Sequence, residues 1–400
     1  MFMNPLHDEF GSWAVGYAPY GGADVGEVAA IANAVGDGDD NAFFDAWRVA
    51  ADRLAGQAKD AEAAGHPASA CESYLHAACF YGVAYHPIYG TPVDPRLVDA
   101  FHAQMSAFDK AMELSEPPVE PVSIPYEGMT MPGYLIRARG RERAARPLLI
   151  ATNGYDATMT DLYFATGVAA AARGYHCLIF DGPGQGKLLV DKGLPLRADW
   201  EHVVTPVVDF VCGIDGVDSD RIALTGWSLG GYLAPRAASA EHRLAACIAD
   251  PGSDGIWSAI VGMAKMGGLP QEAVDALPEA DDATLHTLMA GIEADPHARW
   301  GVLQRGFWVN GADNLRDWLK AVAPFTLQGR YADIHCPTLL TAAENDPLSK
   351  GVPAMYDQLT CPKALLEFTA AEGAGEHCEM LNRSLVNRRV FDWLDGVFAE

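Results

Sequence analysis

Residues 221–242 read RIALTGWSLGGYLAPRAASAEH, and this stretch decides the architecture. An apolar, strand-like run from Arg221 to Thr225 passes within a few residues into a helix-like segment that begins near Tyr232. Gly226 and Gly230 stand two residues before and two residues after Ser228. A strand that turns sharply into a helix brings those two positions against each other, so both must lack a side chain. Such a strained turn lifts the serine hydroxyl above the carboxyl end of a sheet, and the N–H of the next residue, Leu229, points into the same space. A bare Gly-x-Ser-x-Gly arises by chance. Set between a strand and a helix, it predicts an exposed, nucleophilic serine.

Outward from this turn, strands and helices alternate. PLLIATNG (147–154), HCLIFDGPGQG (176–186), LAACIADPG (244–252), CPTLLTAAEND (336–346) and ALLEF (364–368) read as core strands with their following loops. One helix ends near Arg173 and Gly174, and another runs through His202 to Cys212. Apolar strands separated by helices imply a mostly parallel, twisted α/β sheet with helices on both faces. Upstream, VEPVSIPYEG (119–128) and MTMPGYLIRA (129–138) read as an antiparallel pair at the sheet edge, followed by a polar stretch from Arg139 to Arg146.

Residues 1–118 read as a helical segment. Phe43, Trp47, Ala50, Leu54, Ala58 and Ala61 recur at helical steps, and a second helix follows Pro67 from about Ala68 to Tyr85. Asp94 and Pro95 cap a third, with Leu97, Phe101, Met105, Phe108 and Met112 as its stripe. No self-similar period runs through these helices, so they are not a repeat array. Residues 253–330 interrupt the core between two strands and also look helical. An insertion at the carboxyl end of a parallel sheet overlies the crevice where such sheets bind ligands, which predicts a lid. The core is then 119–252 together with 331–400.

A serine needs a base within hydrogen-bond reach and an acid to orient that base. A nucleophile on such a turn is followed in the chain by the acid and then the histidine. His377, in AAEGAGEHCEM (370–380), is the only one of twelve histidines downstream of Asp346. Asp346 ends the CPTLLTAAEND run, with Glu344 as its competitor two residues earlier. His86, His176 and His335 read as packing or surface residues. Two backbone N–H groups would hold a developing oxyanion. Leu229 supplies one by position, and Tyr155, in Asn153-Gly154-Tyr155-Asp156, is expected to supply the other.

The glycines of DGPGQGK (181–187) do not form a phosphate loop, which would need glycine at 181 and Ser or Thr at 188, where Asp181 and Leu188 stand. Trp257, Trp300, Phe307, Trp308 and Trp318 lie in or near the insertion and suggest an apolar pocket for an aromatic substrate. Asp254 and Trp257 are the candidate substrate contacts.

Composition narrows the function further. Half of the 400 residues are hydrophobic and a fifth charged, as in soluble globular proteins. A net charge of −25 argues against nucleic acid and anionic membrane as partners and leaves a small molecule. No apolar run approaches the ~20 residues of a membrane span. MFMNPLHDEFGSW has neither the basic start nor the apolar run of a signal peptide. The eight cysteines form no CxxC pair and no metal-ligand spacing, which points to free thiols in the cytoplasm and no metal.

From about residue 120 onward, DGPGQG, GWSLGG and the AENDP and GEHCE loops resemble the α/β-hydrolase superfamily. With its helical N-terminus, the whole chain resembles the group containing 2,6-dihydroxypseudooxynicotine hydrolase and the fungal hydrolases that shorten pigment polyketides. That resemblance implies cleavage of a carbon–carbon bond beside a ketone, with esterases among enzymes of the same architecture. It matches the family's Ser, Asp and His to Ser228, Asp346 and His377. It also implies a homodimer, no cofactor, and an additional acidic group near the lid, where Asp250 and Asp254 stand.

Overall fold

The computed structural model describes residues 1–140 and 145–399, so the polar stretch 139–146 lies partly outside it. Eight strands form one sheet: β1 Glu120–Tyr126, β2 Met129–Ile136, β3 Arg146–Thr152, β4 His176–Phe180, β5 Val217–Trp227, β6 Ala246–Asp250, β7 Thr338–Ala343 and β8 Lys363–Phe368. Their order is β1-β2-β4-β3-β5-β6-β7-β8. β1 and β2 pair antiparallel, as does β2 with β4, and the remaining pairs are parallel. Register sets where chemistry can gather. Thr152 lies opposite Gly226, Trp227 opposite Asp250, and Ala343 opposite Phe368, so the loops after β3, β5, β6, β7 and β8 leave from one edge.

Side chains alternate across β3 as the pleat requires. Leu149 and Ala151 face one core together with Phe10, Trp47, Phe80 and Phe108 of the N-terminal helices. Leu148 and Ile150 face the other, with Val203, Val207, Tyr232 and Leu233. The N-terminal helices therefore form a layer of the sheet's own core. There are five: α1 Pro5–Tyr17, α2 Val25–Val35, α3 Asp40–Ala63, α4 Pro67–Ala84 and α5 Pro95–Leu114. The sequence reading found α3, α4 and α5 and missed the first two. α1 starts at a capping Asn4, whose side chain accepts from Leu6 N–H, with Pro5 in the first turn.

Between β6 and β7 the chain is helical, as expected for 253–330. Ile256–Met266, Asp282–Ala294 and Leu315–Val322 are regular, and Trp300–Gly306 forms a wider π-helical stretch. This stretch docks on the N-terminal helices. Trp300 Nε1 donates to the His86 carbonyl at 2.8 Å, and Gln304 Nε2 donates to those of Pro87 and Tyr89 at 3.2 and 3.1 Å. All eight cysteines are free thiols. Among the described residues no helix is long and apolar enough to cross a membrane.

Candidate active site

The turn after β5 is as tight as the sequence requires. A Cβ on Gly226 would lie 1.8 Å from the Gly230 carbonyl oxygen, so no side chain fits there. Ser228 takes a left-handed φ of 59°, costly for a residue with a Cβ, and its N–H is held by the Asp250 carbonyl at 2.6 Å. The helix Gly230–Ala238 begins immediately afterwards.

His377 and Asp346 arrive from the neighbouring loops. His377 Nε2 lies 2.9 Å from Ser228 Oγ, and its Nδ1 lies 2.7 Å from Asp346 Oδ2. Asp346 is buried, and its other oxygen accepts the Leu348 N–H at 2.9 Å, which fixes the carboxylate. Glu344 points elsewhere and accepts the Ala370 N–H at 2.7 Å. Burial pushes the His377 imidazole toward its neutral form. Asp346, assisted by Glu9 and Asp156, outweighs that and raises its pKa above the ordinary value.

The loop after β3 packs directly on this turn. A Cβ on Gly154 would sit 2.7 Å from Ser228 Cβ, 2.8 Å from the Trp227 oxygen and 3.0 Å from the Leu229 nitrogen. Side chains from several elements hold the loop. Gln185 Nε2 donates to the carbonyls of Asn153 and Gly154 at 3.0 and 3.1 Å. Tyr89 Oη donates to the Asp156 carbonyl at 3.0 Å, and His86 Nε2 lies 3.2 Å from it. The Tyr155 hydroxyl bonds Asn310, and the Arg305 guanidinium stacks on the Tyr155 ring at 4.4 Å. A trans peptide directs its N–H opposite its C=O. With the Gly154 carbonyl on Gln185, the Tyr155 N–H points away from Gln185. Among the described residues, neither it nor the Leu229 N–H has an acceptor.

The DGPGQG turn is thus a brace for this loop. Asp181 is fully buried, accepts from Asn153 Nδ2 at 3.1 Å and from the Met159 N–H at 2.8 Å, and has its pKa pushed by burial up to about 7.

Several groups at the site escaped the sequence reading. Trp13 of α1 lies 4.7 Å from the His86 ring and 6.2 Å from that of Trp227, the residue before Ser228. Glu9, one turn earlier on the same helix face, pairs with His297 of the insertion at 3.5 Å. The Glu9 carboxyl is 43% exposed, and its pKa is raised: partial loss of hydration raises it, and His377 and His297 oppose that. Arg305 pairs with Asp156 at 3.6 Å. A four-residue spacing between Glu9 and Trp13 was the only local signal for any of these.

The two candidate substrate contacts are placed differently. Asp254 is bonded by Tyr331 and Ser258, and Trp257 packs among the apolar residues of the second core. Among the described residues neither hydrogen-bonds to Ser228, His377 or Asp346. Of the insertion's aromatics, Trp308 lines a narrow cavity behind Tyr155, with Tyr85, Tyr89 and Phe101 as other walls. Trp318 Nε1 lies 3.4 Å from the Tyr155 hydroxyl. Asp24, Glu27 and His76 could offer a metal three atoms within 4.8 Å, but Arg53 and His76 already pair with Glu27 at 3.5 and 2.9 Å.

This sheet order, with its tight Gly226–Gly230 turn after β5, is that of an α/β hydrolase. Residues 148–389 match the model of the alpha/beta hydrolase family, and the chain belongs to that family. It is similar to the 20-hydroxy-prefusarin hydrolase of Gibberella moniliformis, 32% identical over 405 residues that cover 96% of this chain and 94% of the relative. An alpha/beta hydrolase of Aspergillus fumigatus is 30% identical over 430 residues, covering 100% of this chain and 94% of its own. Among solved structures, the 2,6-dihydroxy-pseudo-oxynicotine hydrolase superposes with a TM-score of 0.74 at 22% identity, covering 96% of this chain and 95% of that one. The shared fold therefore includes the N-terminal helical layer.

Proposed function

We propose that this chain is a serine hydrolase that cleaves a carbon–carbon bond beside a ketone in an aromatic or polyketide-like substrate, through an acyl-enzyme on Ser228. The observation that carries the reading is the unbroken relay from Ser228 Oγ through His377 to Asp346, at 2.9 and 2.7 Å. His377 takes the serine proton as Oγ bonds the ketone carbon, and the carbonyl electron pair moves onto oxygen. The N–H groups of Leu229 and Tyr155 hold that oxyanion, each contributing roughly 3 kcal/mol. Collapse breaks the C–C bond, and its electron pair leaves as an enolate that accepts the proton from His377. Water deprotonated by His377 then attacks the ester, releasing the acid and restoring Ser228.

The whole-chain likeness to hydrolases supports hydrolytic chemistry, and one of these relatives bears the name of 20-hydroxy-prefusarin. In this reading residues 253–330 serve as the lid, no cofactor is needed, and the chain works in the cytoplasm as a homodimer.

The test is a panel of aryl ketones and β-diketones beside simple esters and lactones, with the acid and ketone products identified. Formation of both products from a diketone supports the reading. Fast ester or lactone hydrolysis with no diketone cleaved overturns the bond assignment and makes the chain a carboxylesterase or lactone hydrolase. Unchanged activity in Ser228→Ala overturns the nucleophile itself.

A further inference from the structure

Beside Ser228 and His377 lies a buried charged cluster that the proposed reaction does not use. Arg383, Asp250 and Glu379 are 3%, 4% and 0% exposed. Arg383 Nη1 donates to Asp250 Oδ2 at 2.8 Å and to the Cys378 carbonyl at 2.7 Å. The other Asp250 oxygen accepts from Thr341 Oγ1 at 2.9 Å. The Asp250 carbonyl holds the Ser228 N–H, and Cys378 is the residue after His377. One guanidinium nitrogen therefore joins the residue that anchors the nucleophile to the residue that follows the base.

Backbone strain is concentrated at the same place. Four non-glycine residues among those described have positive φ, and three of them are Ser228, Cys378 and Glu379, at 59°, 51° and 49°. Strained backbone persists only where its surroundings over-determine it. Arg383 and Asp250 are the groups that tie these strained residues together.

Glu379 adds a second observation. It is wholly buried, and neither of its oxygens meets a donor. The nearest cation, Arg383, is 3.8 Å away and already pairs with Asp250. A second buried anion beside one guanidinium would go uncompensated. A protonated Glu379 carries no charge and turns from an orphaned acceptor into a donor toward Asp250. Burial and the nearby Asp250 act in that direction, raising its carboxyl well above the ordinary range.

We propose that Arg383, with Asp250 and a neutral Glu379, forms a bracket that fixes the distance between Ser228 and His377, which makes Arg383 a positioning residue of this site. The proposal rests on the serine-nucleophile reading. Arg383 itself touches no substrate.

A fluorophosphonate probe tests it on the full chain without knowledge of the natural substrate. Ser228 Oγ bonds phosphorus, fluoride leaves, and His377 takes the proton. In Arg383→Met the inactivation rate constant should fall about 10²-fold, the cost of misplacing reacting atoms by about 1 Å, with the probe's reversible affinity unchanged. Glu379→Ala should slow labelling, and Glu379→Gln should restore most of it, because an amide N–H donates to Asp250 as the carboxyl does. Labelling of Arg383→Met at the parent rate, or Glu379→Gln no faster than Glu379→Ala, overturns the bracket. Circular dichroism checks that each variant folds, and if Arg383→Met does not, the two Glu379 variants decide. Failure of the parent chain to label at Ser228 would instead overturn the reading beneath it.

Discussion

Only proline removes a backbone N–H, and it would fix φ at the same position, so the proposed oxyanion loop is best tested by displacing it. Gly154→Ala would place a Cβ 2.7 Å from Ser228 Cβ, about 0.7 Å inside the onset of ordinary contact, and 2.8 and 3.0 Å from the Trp227 oxygen and the Leu229 nitrogen. All three neighbours belong to the nucleophile turn's backbone or first side-chain carbon, so no flexible side chain can yield. The turn is itself anchored through the Ser228 N–H to Asp250. The loop must therefore retreat, carrying the Tyr155 N–H with it. A shift of this size forfeits most of one oxyanion bond, worth roughly 3 kcal/mol, so kcat/KM should fall about 10²-fold. Overpacking should cost about 1–3 kcal/mol of stability. Steady-state hydrolysis of a chromogenic ester, with a denaturant melt alongside, reads both. A Gly154→Ala chain with the parent kcat/KM would refute the packing of this loop on Ser228 and, with it, the role of Tyr155.

Asp346→Asn should lower kcat by up to about 10⁴-fold by favouring the wrong His377 tautomer. In the proposed reaction neutral His377 is the base, and its pKa is raised in the parent, so activity should rise with pH through a midpoint above about 6.5. Asp346→Asn should move that midpoint to lower pH, as measured by kcat/KM against pH. Glu9→Gln, which removes a second charge that favours the imidazolium, should move it the same way but less, with the fold unchanged. Trp47→Ala should cost about 3–5 kcal/mol, since its ring is fully buried and its Nε1 has no partner to orphan. Because Trp47 shares one core with the sheet, denaturation should remain a single transition, and separate melting of the N-terminal helices would contradict that.

That Ser228, Asp346 and His377 come within hydrogen-bond reach of one another was legible because the signals that place them are local. Each ends or follows a core strand, and chain order leaves one histidine for the base. The position of Tyr155 beside the Ser228 turn was legible for the same reason, coming just after β3. The remainder of the site depends on contacts between distant segments. Glu9 and Trp13 reach it through α1, which carries Gly11 and Gly16 and shows no clean stripe. α4 was legible as a helix from its break and composition, but it is buried on nearly all sides, so no pattern could say what it packs against. Arg305 lies in the π-helical stretch, whose spacing a 3.6-residue template does not follow. Asp254 is a candidate substrate contact as an acid near the lid, and Trp257 as an aromatic of the insertion; both come just after β6. That position is drawn into the insertion's return path instead, through Leu327 N–H to the Asp254 carbonyl at 2.9 Å and Trp257 N–H to the Phe325 carbonyl at 3.2 Å.

The charges around His377 bear on which bond the proposed enzyme breaks. Asp346, Glu9 and Asp156 all make the imidazole more basic, against the opposing effect of burial. A more basic His377 takes the serine proton more readily and gives it up less readily. An alkoxide leaving from an ester needs that proton as it departs, because it is a poor leaving group without it. An enolate spreads its charge over a second carbonyl and leaves before it is protonated. A site that surrounds its base with carboxylates is therefore better matched to the enolate. Glu9→Gln separates the two cases: it should slow diketone cleavage relative to ester hydrolysis in the same preparation. An equal effect on both substrates would mean that these carboxylates set the basicity of His377 without choosing the bond.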